Sequence, residues 1–208
     1  VAPQTHVNPW DQGLSLNIAL AAQTASTVLL VGGRQFDRFV ARTDSGEPRI
    51  VTLDGICHQS LNAIATWTYD PAKSQVTLYR TQAEHGLETT LPKQVGEQKK
   101  LPLVEVVDAI EALKVPMGRK AVLLVDSGLL VEDPHLPREG EFALVRTMER
   151  FSRTADRGRV ILLRTARAAS VPEGIAGSST VRTVNLPCTS RDERLAYARL
   201  RGQTLAEA

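Results

Sequence analysis

Asp126 ends the apolar run Ala121-Val-Leu-Leu-Val and is followed by Ser127-Gly128. A carboxylate at the tip of a buried strand can hold a divalent cation. It can equally be a polar tip at the carboxyl edge of an open α/β sheet, outside which ligands bind. Gly32-Gly33 follows the run Thr27-Val-Leu-Leu-Val31, and Thr165 stands just beyond Val160-Ile-Leu-Leu163. Glycines let backbone N–H groups come close to a phosphate, and a threonine hydroxyl can hydrogen-bond one. Gly32, Gly33, Asp126 and Thr165 are therefore the candidate nucleotide-binding residues, at the ends of neighbouring strands. No catalytic residue and no metal site is assigned.

Other reactive groups fit known patterns less well. Ser127 lies in Asp-Ser-Gly, but a nucleophile elbow needs G-x-S-x-G and position 125 is Val, so a structural turn is expected. His6, His58, His85 and His135 are scattered over loop-like segments, and the adjacent Cys57-His58 pair does not define a dyad. Two cysteines, Cys57 and Cys188, cannot build a disulfide framework or a four-ligand zinc site.

Two surfaces are candidates for binding a protein partner. Arg146, Arg150, Arg153 and Arg157 recur at i, i+4, i+7 and i+11 along one side of a helix. They are either a solvated face paired with Glu149 and other acids, or a surface that grips carboxylate or phosphate bidentately. The hairpin bearing Trp67 and Tyr69 is the other, since amphipathic aromatics are common anchors; the same rings could instead cover a sheet edge. No aromatics are interleaved with the arginines, which argues against single-stranded nucleic acid.

These residues need elements to position them. Leu14, Ile18, Ala21, Ala22 and Ala25 mark one face of a helix, and 1–13 reads as an entry segment. The runs at 27–31, 121–126, 160–163 and 181–186 read as buried strands, and Phe36, Phe39 and Val40 as a short helix. Arg49–Leu53 reads as a strand closed by Asp54-Gly55, residues 64–80 as a β-hairpin decorating the core, and 81–100 as a polar surface loop. Leu103, Val106, Val107, Ile110 and Leu113 mark a helix, as do Leu144, Met148 and Phe151. Ser190 with Glu193 is a capping-box signature for a last helix with Leu195 and Ala198 on its apolar face. Alternating helices and continuously apolar strands predict an α/β layered fold with a mainly parallel sheet and an inserted β-hairpin.

Composition sets the outer limits. The chain has 208 residues, 42% of them hydrophobic and 23% charged, which are ordinary globular values. Lys and Arg number 25 against 23 Asp and Glu, so no chain-wide basic field exists to attract nucleic acid or an anionic membrane. No apolar run approaches the roughly 18 residues of a membrane span, and no signal-peptide pattern opens the chain, so a cytoplasmic setting is expected. The first residue is Val, as expected of a piece of a longer protein.

The stretch 121–200 resembles the second half of an AAA+ ATPase core. Ala121–Asp126 resembles the Walker B strand, and Arg157–Thr165 the strand that carries the sensor-1 residue. Val171-Pro-Glu-Gly-Ile175 is similar to the segment after that sensor, and Leu186–Arg194 to the exit toward the lid subdomain. Active members also carry G-x-x-x-x-G-K-[ST], whose N–H groups wrap the phosphates while Lys and the hydroxyl hold phosphate and Mg²⁺. No Gly-Lys dipeptide occurs in this chain. Asp126 is followed by Ser127 rather than the water-polarising Glu, and Gly177-Ser-Ser-Thr180 lacks an arginine finger, with Arg182 the nearest arginine.

The outline resembles the degenerate N-terminal RecA-like domain of two-part AAA+ ATPases of the cyanobacterial and chloroplast type. The resemblance implies a three-layer RecA-like/AAA+ core over 14–208, with the hairpin and polar loop at about 64–100 as an insertion. It implies no hydrolysis and no cofactor for this segment, with ATP and Mg used by the parent protein. Its partners would be other domains or protomers of an AAA+ assembly. Two further expectations remain: a nucleotide-binding or nucleotide-sensing enzyme domain with an unorthodox site, and a free-standing protein-binding adaptor.

Overall fold

A computed structural model describes residues 12–32, 38–42, 48–82, 88–126, 138–156, 158–166, 171, 173–187 and 191–202. In chain order the elements are α1 (Gln12–Thr24), β1 (Thr27–Val31), β2 (Arg38–Arg42), β3 (Pro48–Thr52), α2 (Leu53–Ser60), β4 (Ala63–Asp70) and β5 (Gln75–Thr81). They continue with β6 (Gln98–Lys100), α3 (Leu103–Ala112), β7 (Lys120–Asp126), α4 (Arg138–Thr154), β8 (Arg159–Thr165), α5 (Glu173–Ala176), β9 (Val181–Asn185) and α6 (Arg191–Leu200).

Among the described residues, seven strands form one sheet in the order β6-β5-β4-β7-β8-β1-β9. The five from β4 to β9 in that order run parallel, while β5 and β6 add an antiparallel flank. Both faces are covered, so the central strands are apolar on both sides. On β7, Ala121, Leu123 and Val125 pack with Val106 and Ile110 of α3 and with Met148 and Phe151 of α4. Val122 and Leu124 point the other way, toward Leu14 and Ile18 of α1 and Ile56 of α2. The result is a three-layer α/β arrangement, in which burying each such aliphatic side chain contributes about 1.5–3 kcal/mol.

Several local expectations change. The residues Phe39 and Val40, expected in a helix, lie in β2, which pairs antiparallel with β3 in a separate two-stranded sheet. Phe36 lies outside the described residues, and three apolar positions are too few to establish a period. Asp54-Gly55 is not a turn but the first turn of α2, because Thr52 acts as N-cap and its Oγ1 accepts the Gly55 N–H at 3.2 Å. The 64–80 hairpin exists as β4 and β5, yet it is no decoration, since β4 pairs parallel with β7 inside the main sheet. The expected polar loop contributes β6 and the buried Leu91. β9 is an edge strand with Arg182, Thr183 and Asn185 exposed, rather than a buried one. Ser190 lies outside the described residues. Among those residues, no helix is long and apolar enough to cross a membrane.

Candidate functional site

The carboxyl edge of the parallel strands gathers three of the four candidate nucleotide residues. β7 and β8 run in register, so Asp126 stands beside Arg164, and Arg164 beside Leu30 of β1. Arg164 is 7% exposed and lies between two carboxylates. Its Nε is 2.9 Å from Asp126 Oδ1, and its Nη1 forms an ion pair with Asp54 Oδ1. Asp54 is held there by the capped first turn of α2, whose Thr52 Oγ1 also lies 3.0 Å from the Tyr79 hydroxyl.

Electrostatics at this edge follow from two acids sharing one base. Burial pushes the Asp54 carboxyl above its ordinary value, and the Arg164 guanidinium opposes that rise. Asp126 is also raised, chiefly by burial, with Arg164 lowering it and the charges of Asp54 and Asp70 adding to the rise. The Arg164 guanidinium thus lies against one of the two Asp126 oxygens, Oδ1. Among the described residues, no group of three or more His, Cys, Asp or Glu side chains could hold a metal.

Gly32 and Thr165 also meet here, in structural roles. The Gly32 N–H donates to the Thr165 carbonyl at 2.9 Å, so it is already engaged. Leu186 N–H donates to the Val31 carbonyl at 2.7 Å and brings its own side chain against the glycine. A Cβ on Gly32 would lie 2.8 Å from Leu186 Cβ, and φ is +153°. Close backbone packing explains this glycine. Thr165 is fully buried, and Gly33 lies outside the described residues. The next described element after β1 is the strand β2, whereas a phosphate cradle is built as strand, loop and helix. Residues 33–37, which join the two strands, lie outside the described residues.

The candidate partner surfaces separate. On α4, Arg146 and Arg153 are exposed, while Arg150 forms ion pairs with Asp108 and, at 3.4 Å, with Glu111 of α3. Arg157 lies outside the described residues. Trp67 and Tyr69 are 1% and 3% exposed, so the expected aromatic surface is core instead. Trp67 Nε1 donates to the Pro92 carbonyl at 3.0 Å and the Tyr69 hydroxyl to the Leu101 carbonyl at 3.2 Å. Residues following β5 fold back over these rings, which a hairpin read in isolation does not reveal.

Sequence reasoning missed Asp54, Arg164 and the surroundings of His58. A charge inside the apolar strand Arg159–Thr165 was the available signal for Arg164, since a buried cation requires a partner. Cys57 is a buried free thiol whose pKa is pushed up by burial and by the Asp54 charge. No protein-family model matches the chain, and no curated protein sequence matches it.

Proposed function

We propose that this chain is a non-catalytic RecA-like module of a larger AAA+ ATPase, serving assembly or regulation while another domain hydrolyses ATP. The observation that carries the reading is Arg164, whose guanidinium lies between Asp126 and Asp54. An internal cation at that point competes with any metal for Asp126 Oδ1. Strand order supports the RecA-like part. Ranked along the chain, the five parallel strands lie as 2-3-4-1-5, with the first inserted between the fourth and fifth. That is the order of a RecA-like core. The strand β2 after β1, in place of a helix, supports the loss of the phosphate cradle.

Thermal unfolding with and without MgATP and MgADP tests this directly. A ligand at 100 times its Kd stabilises a fold by about 2.7 kcal/mol, a shift of a few degrees. No shift is expected at millimolar nucleotide. A clear Mg²⁺-dependent shift overturns the non-catalytic reading and favours a nucleotide sensor. The parent protein is expected to carry G-x-x-x-x-G-K-[ST] outside this chain; a parent without it removes the ATPase-module reading.

A further inference from the structure

The two flanks of the main sheet end differently. At one, β6 is three residues long and exposes Lys99 and Lys100, a charged edge of the kind that blocks further pairing. At the other, β9 pairs with β1 on one side and, among the described residues, with no strand on its outer side. Which groups face outward follows from the ladder. Leu186 N–H bonds to the Val31 carbonyl at 2.7 Å. The alternate residues Val184 and Arg182 therefore also face β1, and Thr183 and Asn185 turn their N–H and C=O groups outward. Val181 N–H is already bonded to the Ser178 carbonyl at 3.2 Å, which leaves the Val181 carbonyl on the open side.

The surface beside this edge is depleted of charge and keeps large apolar groups. α1 (Gln12–Thr24) has no charged residue, and the segment Gly174–Asn185 has one, Arg182. A chain that is 23% charged would place about six in the two segments. Leu16 and Leu20, one helical turn apart on α1, are 58% and 48% exposed. Leu20 also lines a groove of about 510 Å³ between α1 and β9, together with Asn17, Thr24, Arg182 and Asn185. An open strand edge beside a side-chain groove accepts an added strand, the ladder supplying affinity and the groove taking side chains. Depletion of charge is the compositional mark of the centre of a protein interface.

We propose that this face pairs with the same face of a second copy of the chain, β9 against β9, across a two-fold axis. Such an axis makes the paired strands antiparallel and the interface self-complementary. Charge argues for this occupant. The face carries one cation and no anion with which to select a charged partner, and the uncharged strand-and-helix surface that matches it is its own counterpart. A register centred on Thr183 sets the two Thr183 residues opposite each other, exchanging both N–H···O bonds. It also pairs each Asn185 N–H with the Val181 carbonyl of the copy. Arg182 then lies opposite Val184 rather than its own equivalent, so no like charges stand directly opposite. Both copies of α1 lie on the same face of the continuous sheet, which brings Leu16 and Leu20 toward their equivalents. One helix and one five-residue strand per copy make a small interface, so the dimer is expected to be reversible. The face is independent of the carboxyl-edge cluster and shares none of Asp54, Asp126 and Arg164 with it.

Sedimentation equilibrium of the intact chain over a range of concentrations tests the pairing. A monomer–dimer equilibrium is expected, with no larger species, because a two-fold contact closes on itself. Thr183→Pro removes one outward N–H from each copy and spares the bonds to β1, and proline is tolerated on an edge strand. It is expected to weaken dimerisation about tenfold or more, the scale of two lost hydrogen bonds. Leu20→Lys, at an exposed position, sets like charges against each other across the axis and is expected to weaken it as well. Val95→Lys, exposed just before β6 at the opposite flank, is expected to leave the dimer intact. Circular dichroism checks that each variant keeps the fold. A chain that stays monomeric throughout overturns the proposal and leaves the edge to a different partner. A dimer undiminished by Thr183→Pro or by Leu20→Lys overturns it too, as does an open-ended series of larger species.

Discussion

Arg164 is outnumbered by the acids it serves, and that imbalance sets what its neighbours do when changed. Arg164→Met leaves Asp54 and Asp126 buried without their cation, and breaking a buried pair this way costs about 3–5 kcal/mol. Asp126→Asn keeps an oxygen that can accept from Arg164 Nε and leaves a one-to-one pair with Asp54, so its cost is expected to be far smaller. Urea unfolding of the two variants checks the ranking. Equal losses would mean that the cluster needs the Asp126 charge as much as its cation, and that surplus acid is not what limits it. The pH dependence has a definite sign. Both carboxyls sit above their ordinary values, so their protonated forms favour the fold. Their contribution is present below the ordinary value near pH 4 and is lost as pH rises through the raised values. Asp126→Asn is expected to flatten that decline in midpoints measured between pH 4 and 7.

At the scale of elements, Gly32 marks where β1 must leave the sheet beneath Leu186. Gly32→Ala places a methyl group 2.8 Å from Leu186 Cβ, with the Leu186 carbonyl oxygen at 3.2 Å and unable to swing aside. Overpacking of this kind costs about 1–3 kcal/mol, and Leu186→Ala in the same chain is expected to recover none of it, because the atoms met are Leu186 Cβ, carbonyl oxygen and Cα, which alanine keeps. A denaturant midpoint unchanged in Gly32→Ala would show that the exit relaxes freely. The long periodic elements were legible beforehand, because Leu14 and Ile18, or Val106 and Ile110, repeat at the helical period over several turns. So were β1, β7 and β8, whose runs are apolar on both faces. β2 and α2 were not, being short, and α2 carries Asp54-Gly55, a pair that resembles a turn until Thr52 is seen as its cap. Trp67 and Tyr69 misled for another reason. Alternation with threonine suggested one solvated face, but Thr66 is fully buried against α2 and the rings lie beneath residues 91–101. The charge cluster was invisible in the chain order, since Asp54 and Arg164 are 110 residues apart.

Across the whole molecule, stability is graded from the middle of the sheet to its flanks. β8 lies between β7 and β1, both parallel to it, and Ile161 to Leu163 are fully buried. β6 has three exposed residues and pairs on one side with β5. Its Lys99 and Lys100 are also the kind of charge that discourages edge-to-edge pairing. Amide hydrogen exchange is expected to be slowest at Ile161–Leu163 and fastest, among the strands, at Gln98–Lys100. The reverse order would mean that the sheet opens from its centre.

The position of β1 also has a consequence for how the chain is made. Its neighbours β8 and β9 end at Thr165 and Asn185, so the strand synthesised first among the five is the one whose partners emerge last. At about 5–20 residues per second, Thr27–Val31 waits on the order of ten seconds during translation before both neighbours exist. During that interval α1, translated just ahead of it, can offer Leu14, Ile18 and Ala22, residues that share a cluster with Val28 and Leu30 in the finished fold. The face that covers Val28 and Leu30 in the finished fold is thus made before the strand itself.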